Sequence, residues 1–137
     1  MTTRAAVVAE ALTWLGTPFH DCARVKGAGT DCLNLLIGVF SGVGMIEPFD
    51  PPPYSPQWFE HKDEPRFLLG LEAHARRVEV GQPGDIAMYR YGRHAAHSAI
   101  IIDERTIIHA FKAVGRVTKG SYLDMLPRLD SLWSVFP

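Results

Sequence analysis

The apolar run LNLLIGVF at residues 33–40 constrains the fold more than any other segment of this chain. A helix over 31–43 would be apolar on almost every side, and such a helix is stable only when it is buried. Asp31, or Thr30 before it, can cap its start. Cys32 lies in the first turn, where unpaired backbone N–H groups and the helix dipole favour an anion. We therefore predict a buried helix whose start carries a thiol with a lowered pKa.

Helical patterns occupy the first half of the chain and strand patterns the second half. Residues 4–15 predict an amphipathic first helix and 63–78 a weaker third helix, while the proline-rich segment 46–58 predicts an extended surface loop. Short β-branched segments follow a turn and predict strands at 85–90, 97–102, 106–111 and over LWSVF near the C-terminus. This order predicts a single α+β domain over residues 1–137, with the cysteine-bearing helix packed on an antiparallel sheet.

Composition narrows the classes of function. The 137 residues carry a net charge of -1, so there is no large basic excess and we predict no nucleic acid as a partner. No apolar stretch reaches the roughly 18 residues of a membrane span, so we predict no membrane insertion. The N-terminal segment is amphipathic and interrupted by Glu10, which differs from a signal peptide. Two cysteines are too few for a disulfide scaffold, and we interpret Cys22 as structural or incidental.

Two of the six histidines, His97 and His109, lie in apolar strand segments separated by a short connection. With the three-residue connection 103–105, His97 faces Phe111 and Ala99 faces His109. The two imidazoles are then diagonal neighbours on one face of the sheet, whereas a two-residue connection would place them on opposite faces.

If the face that carries the histidines also packs the predicted helix 31–43, a catalytic arrangement results. Cys32 would be the nucleophile, His97 the general base and His109 the residue that orients His97. The backbone N–H of Cys32 could donate to an oxyanion.

Two other interpretations of these residues stay open. A buried cysteine often only packs, and the pair of histidines could belong to an ordinary core. A metal site is the other alternative, with candidate ligands Asp31, Cys32, His94, His97 and His109. Neither HExxH nor the deaminase pattern H-x-E with P-C-x-x-C is present, and we predict no metal and no cofactor.

The ordered set GTPFH, GTDCLNLL, PGDIAMYR, HSAIIID and IIHAF resembles the NlpC-type cell-wall peptidases, a papain-like family, over nearly the whole chain. More narrowly, it resembles phage and prophage tail members. The resemblance implies a papain-like fold and a cysteine peptidase that cleaves peptidoglycan stem peptides, typically at the γ-D-glutamyl–diaminopimelate bond. It places the nucleophile on Cys32, the base on His97 and the third member on His109. His20 and Asp31 are the candidates for substrate contacts.

The resemblance to phage members also implies a setting. A tail component is made in the host cytoplasm without a signal peptide, is carried on the virion tail and acts in the host cell envelope. Its partners would be tail-tip or hub proteins. The alternative is a catalytically silent structural tail protein that keeps the peptidase fold.

Two departures from the family pattern bear on substrate fit. Phe19 stands where the family has tyrosine, and Leu33-Asn34 replaces the usual pair of small residues after the cysteine. Cationic groups near the site would suit the carboxylates of a stem peptide, and the candidates are Arg24, Lys26 and Arg93.

Overall fold

The computed structural model describes residues 2–51, 72–92 and 94–137, apart from the side chains of residues 94 and 95. Two α-helices come first, α1 over Arg4–Leu12 and α2 over Cys32–Gly42. Between them, β1 over Arg24–Val25 and β2 over Gly29–Thr30 form a small antiparallel pair. Since β2 ends at Thr30, it leads the chain through Asp31 into the start of α2.

The second half of the chain supplies a six-stranded antiparallel sheet in the order β3-β8-β4-β5-β6-β7. Its strands are β3 over Arg76–Val78, β4 over Ile86–Tyr91, β5 over His94–Ile101, β6 over Thr106–Phe111, β7 over Arg116–Ser121 and β8 over Leu129–Ser134. A short 3-10 turn, Leu126–Arg128, precedes β8. The predicted α+β class, with helices first and an antiparallel sheet after them, is confirmed.

Both helices pack against one face of this sheet. The core there joins α2 and α1 side chains to the inward-facing residues of the central strands, among them Leu35, Phe40, Met88, Ile100 and Ile108. Gly38 allows the close approach of α2 to Trp14, because a Cβ at Gly38 would lie 2.5 Å from the indole ring. The prediction that 31–43 forms a buried helix on the sheet is confirmed.

A second apolar cluster lies on the opposite face of the sheet. It is built from Ala87, Tyr89, Ala99, Ile101, Ile107 and Leu132. Tyr122 and Met125, from the segment between β7 and β8, and Leu129 at the start of β8 pack against it. Side chains of the central strands therefore alternate between a face covered by helices and a face covered by this segment.

Several predicted boundaries need correction. α1 ends at Leu12 rather than residue 15, because residues 13–16 form turns and Gly16 has a φ of +86°. The predicted third helix 63–78 is wrong at its end, since Arg76–Val78 is a strand paired with β8. Residues 63–71 of that prediction, and most of the predicted loop 46–58, lie outside the described residues.

Strand β7 was not predicted. Its sequence RVTKGS is polar, and it buries only Val117 because it lies at the edge of the sheet. Within the described parts of the chain, no helix is both long and apolar enough to cross a membrane.

Candidate active site

Asp31 fixes the start of the cysteine-bearing helix. It is the N-cap of α2, and its Oδ1 accepts hydrogen bonds from the backbone N–H of Asn34 at 2.9 Å and from Asn34 Nδ2 at 3.0 Å. Its Oδ2 accepts from the backbone N–H of Cys22 at 2.7 Å. The carboxylate is buried, so it holds the loop before α2 against the helix turn that carries Cys32.

Asn34 extends this arrangement to the chain that follows α2. Its Oδ1 accepts from the Arg24 guanidinium at 3.0 Å, and Arg24 also donates to the Phe49 carbonyl at 2.8 Å. Arg24 pairs further with the exposed carboxylate of Asp50 at 3.0 Å. Asn34, the departure from the family pattern, therefore has a structural role in this chain.

These contacts bear on the candidates for binding substrate carboxylates. The guanidinium of Arg24 is engaged within the protein, as just described. Lys26 is engaged as well, because its Nζ lies 2.7 Å from both Glu10 Oε2 and Thr13 Oγ1. Arg93 lies outside the described residues. The Asp31 carboxylate is buried and accepts hydrogen bonds within the protein, and a substrate contact by Asp31 stays a prediction.

Replacing Asp31 with alanine is expected to lower the free energy of unfolding by about 2–4 kcal/mol, from the lost cap and the unpaired buried donors. Asp31→Asn, which keeps one acceptor oxygen for the cap, is expected to lose less. Chemical denaturation of both variants and of wild type measures the difference. An alanine variant as stable as wild type would show that the cap contributes nothing.

The two predicted histidines meet. Strands β5 and β6 pair Ile100 with Ile108 and Ile101 with Ile107, which is the register that a three-residue connection predicts. His97 Nε2 lies 2.7 Å from His109 Nδ1, and the two side chains are only 8% and 4% exposed. The prediction that both imidazoles lie on one face and within contact is confirmed.

That face is not the one predicted. His97 lies edge-on to the rings of Tyr91 and Phe111, with centroids 5.8 Å and 5.5 Å away, and 6.1 Å from the ring of Tyr89. Tyr89 belongs to the cluster on the face opposite α2, and Tyr91 packs against that cluster. The expectation that the histidines share the face that packs the cysteine-bearing helix is therefore wrong, because strand alternation turns Ser98, not His97, towards the helix.

Ser98 of β5 contacts Cys32. It is fully buried, and its hydroxyl donates to the Cys32 carbonyl at 3.2 Å. The Cys32 side chain is half-buried. Among the described residues no hydrogen bond joins the Cys32 thiol to His97, and the Cys32 carbonyl contacts β5 at Ser98.

The thiol is protonated at neutral pH. Burial raises the pKa of Cys32 from 9.0 to about 12, and the neighbouring Asp31 carboxylate acts in the same direction. Hydrogen bonding from Ser98 opposes the rise. The predicted lowering of this pKa by the helix start is therefore wrong, since desolvation and the adjacent negative charge outweigh it.

The imidazoles are neutral too. Burial lowers the pKa of His97 from 6.5 to about 3, with a smaller contribution from His109, and burial lowers the pKa of His109 to about 4. A hydrogen bond between two neutral rings needs one N–H and one bare nitrogen. Nε2 of His109 lies against Gly120, where an added Cβ would stand 2.9 Å from it. Gly120 therefore leaves room for the His109 ring.

These shifts predict how stability depends on pH. Because the folded-state pKa values of His97 and His109 lie below 6.5, the unfolded chain binds more protons between that value and the folded ones. The contribution of the neutral histidine pair to the free energy of unfolding should thus be fully present above pH 6.5. It should decrease as the pH drops towards about 4. Unfolding free energies measured across this range test the prediction.

The matched comparison uses a His97→Gln/His109→Gln double variant and an exposed-site variant, His74→Gln. The double variant should lose much of the slope of stability against pH, and the His74 variant should keep it. Equal slopes in the double variant and wild type would show that the buried pair does not set the acid response.

Two predictions from the sequence are left, the substrate contact by His20 and the alternative of a metal site. His20 is exposed, and its backbone N–H donates to the Thr30 carbonyl at 3.0 Å, so it lies beside the chain that leads into Cys32. A substrate contact by His20 stays a prediction. In the described part of the chain no three His, Cys, Asp or Glu side chains converge as metal ligands do. The His94 side chain lies outside that part.

Sequence reasoning missed the surroundings of the two histidines. Tyr91 and Phe111 pack on the imidazoles, and His109 stacks on Phe111 at 4.8 Å. The alternation of side chains along β4, β5 and β6 was the signal that could have predicted these aromatic neighbours. The same alternation would have placed Ser98 opposite the start of α2.

No protein-family model matches the sequence, and no curated protein matches it. Solved structures do match. The NlpC/p60 domain of the peptidoglycan hydrolase SagA superposes with a TM-score of 0.66 at 21% identity, over 97% of this chain and 99% of that one. An NlpC/P60 family protein from Bacillus cereus gives a TM-score of 0.70 at 18% identity, over 99% of this chain and 41% of that one.

A third match is RipD from Mycobacterium tuberculosis, described as a non-catalytic NlpC/p60 domain protein adapted to peptidoglycan binding. It superposes with a TM-score of 0.59 at 14% identity, over 98% of this chain and 97% of that one. At these identities the likeness establishes architecture and not activity. Helices α1 and α2 and the antiparallel sheet, in a superposition that covers almost the whole chain, give this protein the papain-like α+β fold of the NlpC/p60 cell-wall peptidase domains.

Proposed function

We propose that this chain is a cysteine peptidase that cleaves amide bonds in the stem peptides of peptidoglycan. One observation carries the proposal. On an NlpC/p60 fold, a half-buried Cys32 at the start of a buried helix contacts the strand that carries the buried His97–His109 pair. A thiol, an imidazole and a group that orients the imidazole are the parts that acyl transfer by a cysteine nucleophile requires.

The roles depend on which tautomer each imidazole adopts. In the tautomer that the mechanism requires, His97 Nε2–H donates to His109 Nδ1, which leaves His97 Nδ1 bare and able to take the thiol proton. Since thiol and imidazole are both neutral at rest, the proton moves as Sγ attacks the substrate carbonyl carbon and not before. The Cys32 backbone N–H at the helix start donates to the developing oxyanion.

The second half of the reaction returns the enzyme to its starting state. His97 gives its proton to the departing amine as the amide C–N bond breaks. Water then hydrolyses the thioester, with His97 acting as base again. Proton transfer requires the thiol and His97 Nδ1 to lie within hydrogen-bond distance in the complex with substrate, and catalytic hydrogen bonds often form fully only in that complex.

Mass analysis of defined muropeptides incubated with the purified protein tests the proposal. The expected product is a pair of fragments cut within the stem peptide, between γ-D-glutamate and diaminopimelate. Cleavage of another stem-peptide bond would keep the enzyme class and correct the bond. An unchanged muropeptide mixture at protein concentrations equal to substrate would contradict the peptidase function.

We propose further that the protein acts as part of a phage or prophage tail, on the host cell envelope and with tail-tip or hub proteins as partners. The resemblance of the ordered motifs to tail-associated members supports this setting. Proteomic analysis of purified virions or tails tests it. Absence of the chain from particles that contain the other tail proteins would contradict the placement.

A second candidate function is peptidoglycan binding without cleavage. The observation in its favour is the resting site itself, where a protonated Cys32 thiol makes no hydrogen bond to His97 among the described residues. A structural tail protein could keep the fold in this state. Sedimentation with purified sacculi would then show binding that Cys32→Ala leaves unchanged, with no released fragments from either protein.

A further inference from the structure

Ser98 has no role in the mechanism proposed above, although it lies next to both Cys32 and His97 in the structure. It is fully buried, follows the proposed base in the chain and points to the opposite face of β5, where α2 begins. Its hydroxyl lies 3.2 Å from the Cys32 carbonyl oxygen. Ser98 thus joins the strand of the proposed base to Cys32 by a hydrogen bond.

A serine hydroxyl has one proton to donate and can rotate to direct it at different acceptors. For Ser98 the two acceptors considered are the carbonyl oxygen and the sulfur of Cys32. With the thiol protonated, the Ser98 hydroxyl donates to the Cys32 carbonyl. Ser98 adjoins the thiol through this contact, and hydrogen bonding from its hydroxyl and backbone N–H acts to lower the pKa of Cys32. These two donors favour the thiolate over the thiol, because a hydrogen bond to a charged acceptor is stronger than one to a neutral acceptor.

We infer that Ser98 is a positioning residue for the nucleophile, whose hydroxyl turns from the Cys32 carbonyl to the sulfur as the thiolate forms. The thiol proton goes to His97, the Ser98 hydroxyl keeps its own proton, and no bond other than the hydrogen bond changes. The inference deepens the proposed peptidase function and rests on it for its purpose. The contact itself is measurable without substrate.

Alkylation of Cys32 by iodoacetamide, an uncharged reagent, tests the inference. Rates are measured peptide by peptide by mass spectrometry between about pH 7 and 9, so that Cys22 is counted separately. Loss of one hydrogen bond to a charged acceptor should lower the thiolate fraction about tenfold in Ser98→Ala, and the higher nucleophilicity of the more basic thiolate should restore about threefold. The expected net effect is an alkylation rate about three- to fourfold slower at each pH.

Two variants separate this role from mere packing. Ser98→Thr keeps the hydroxyl and should restore most of the rate. Ser41→Ala is the control. The Ser41 hydroxyl, in α2, also donates to a backbone carbonyl, that of Ile37 at 2.6 Å, and its removal should leave the alkylation rate of Cys32 unchanged. Melting temperatures confirm that all three variants fold. If Ser98→Ala reacts as fast as wild type, or if the threonine variant is as slow as the alanine variant, the inference is overturned.

The outcome is distinguishable from that of the proposed function. Slower alkylation in Ser98→Ala together with no cleavage of muropeptides by wild type would reject the peptidase and keep the contact. Normal cleavage with unchanged alkylation would reject the role of Ser98 and keep the peptidase.

Discussion

Cys32→Ala is expected to abolish cleavage of muropeptides, with a loss of at least about 10⁴-fold in kcat. The fold should survive, because Cys32 is half-buried and its helix is held by the Asp31 cap and by the buried side chains that follow. Mass analysis of the digestion products measures the effect, and circular dichroism with thermal melting checks the fold.

Cys22→Ala is the matched control for this variant. It removes the only other thiol of the chain, one that is exposed and lies in the loop before the helix. Cys22 has a φ of +64°, in the left-handed region. Alanine and cysteine both carry a Cβ and have a similar energetic cost there, so the substitution should not change the backbone. The control should cleave at the wild-type rate. Residual cleavage by Cys32→Ala at that rate would show that another group is the nucleophile.

His97→Ala should lower kcat/KM by about 10²–10⁴-fold, the usual contribution of a positioned general base. His109→Ala should cost less, since it removes the group that orients the imidazole and not the base itself. The exposed His74, which stacks on Phe49 at 4.6 Å, provides the control, and His74→Ala should be fully active. Initial rates with a soluble stem-peptide substrate give the three values.

The pH profile distinguishes this mechanism from a preformed thiolate–imidazolium pair. With the pKa of His97 at about 3 and that of Cys32 at about 12, neither group changes its charge near neutrality in the free enzyme. The value of kcat/KM should therefore stay flat from about pH 5 to pH 9. A bell-shaped profile centred near pH 6 would show that the two groups titrate in that range and would contradict the neutral resting pair.

Much of this fold could be predicted from local sequence patterns. The run at 33–40 required a buried helix, and the connection at 103–105 fixed the register that brings His97 to His109. The strands that local patterns did not predict form because they pair with strands that are distant in the sequence. Arg76–Val78 continues a helical pattern in sequence but becomes a strand because β8 offers it a partner. β7 carries almost no apolar pattern, since an edge strand buries few side chains.

Sequence patterns predicted that His97 would meet His109 but not what would surround the two rings. The catalytic roles of Cys32, His97 and His109 stay a prediction. Asp31, Cys32, His97 and His109 all lie where the elements that carry them come together. The sign of the Cys32 pKa shift depends on burial and on the distance to the Asp31 carboxylate, and both are tertiary quantities. The side of β5 on which His97 lies depends on how the sheet meets α2. Asn34 could not be interpreted until Arg24 and the chain after α2 were in place.

The contacts from Asp31 through Asn34 and Arg24 to the chain at 49–50 make distant positions interdependent in mutation. Restoring a small residue at position 34 would leave Arg24 without one of its acceptors and Asp31 without one of its donors. The effect of that change then depends on which residues stand at the other positions. The departure from the family pattern after the cysteine is therefore best understood as one part of a correlated set, which evolution or an engineer must exchange together.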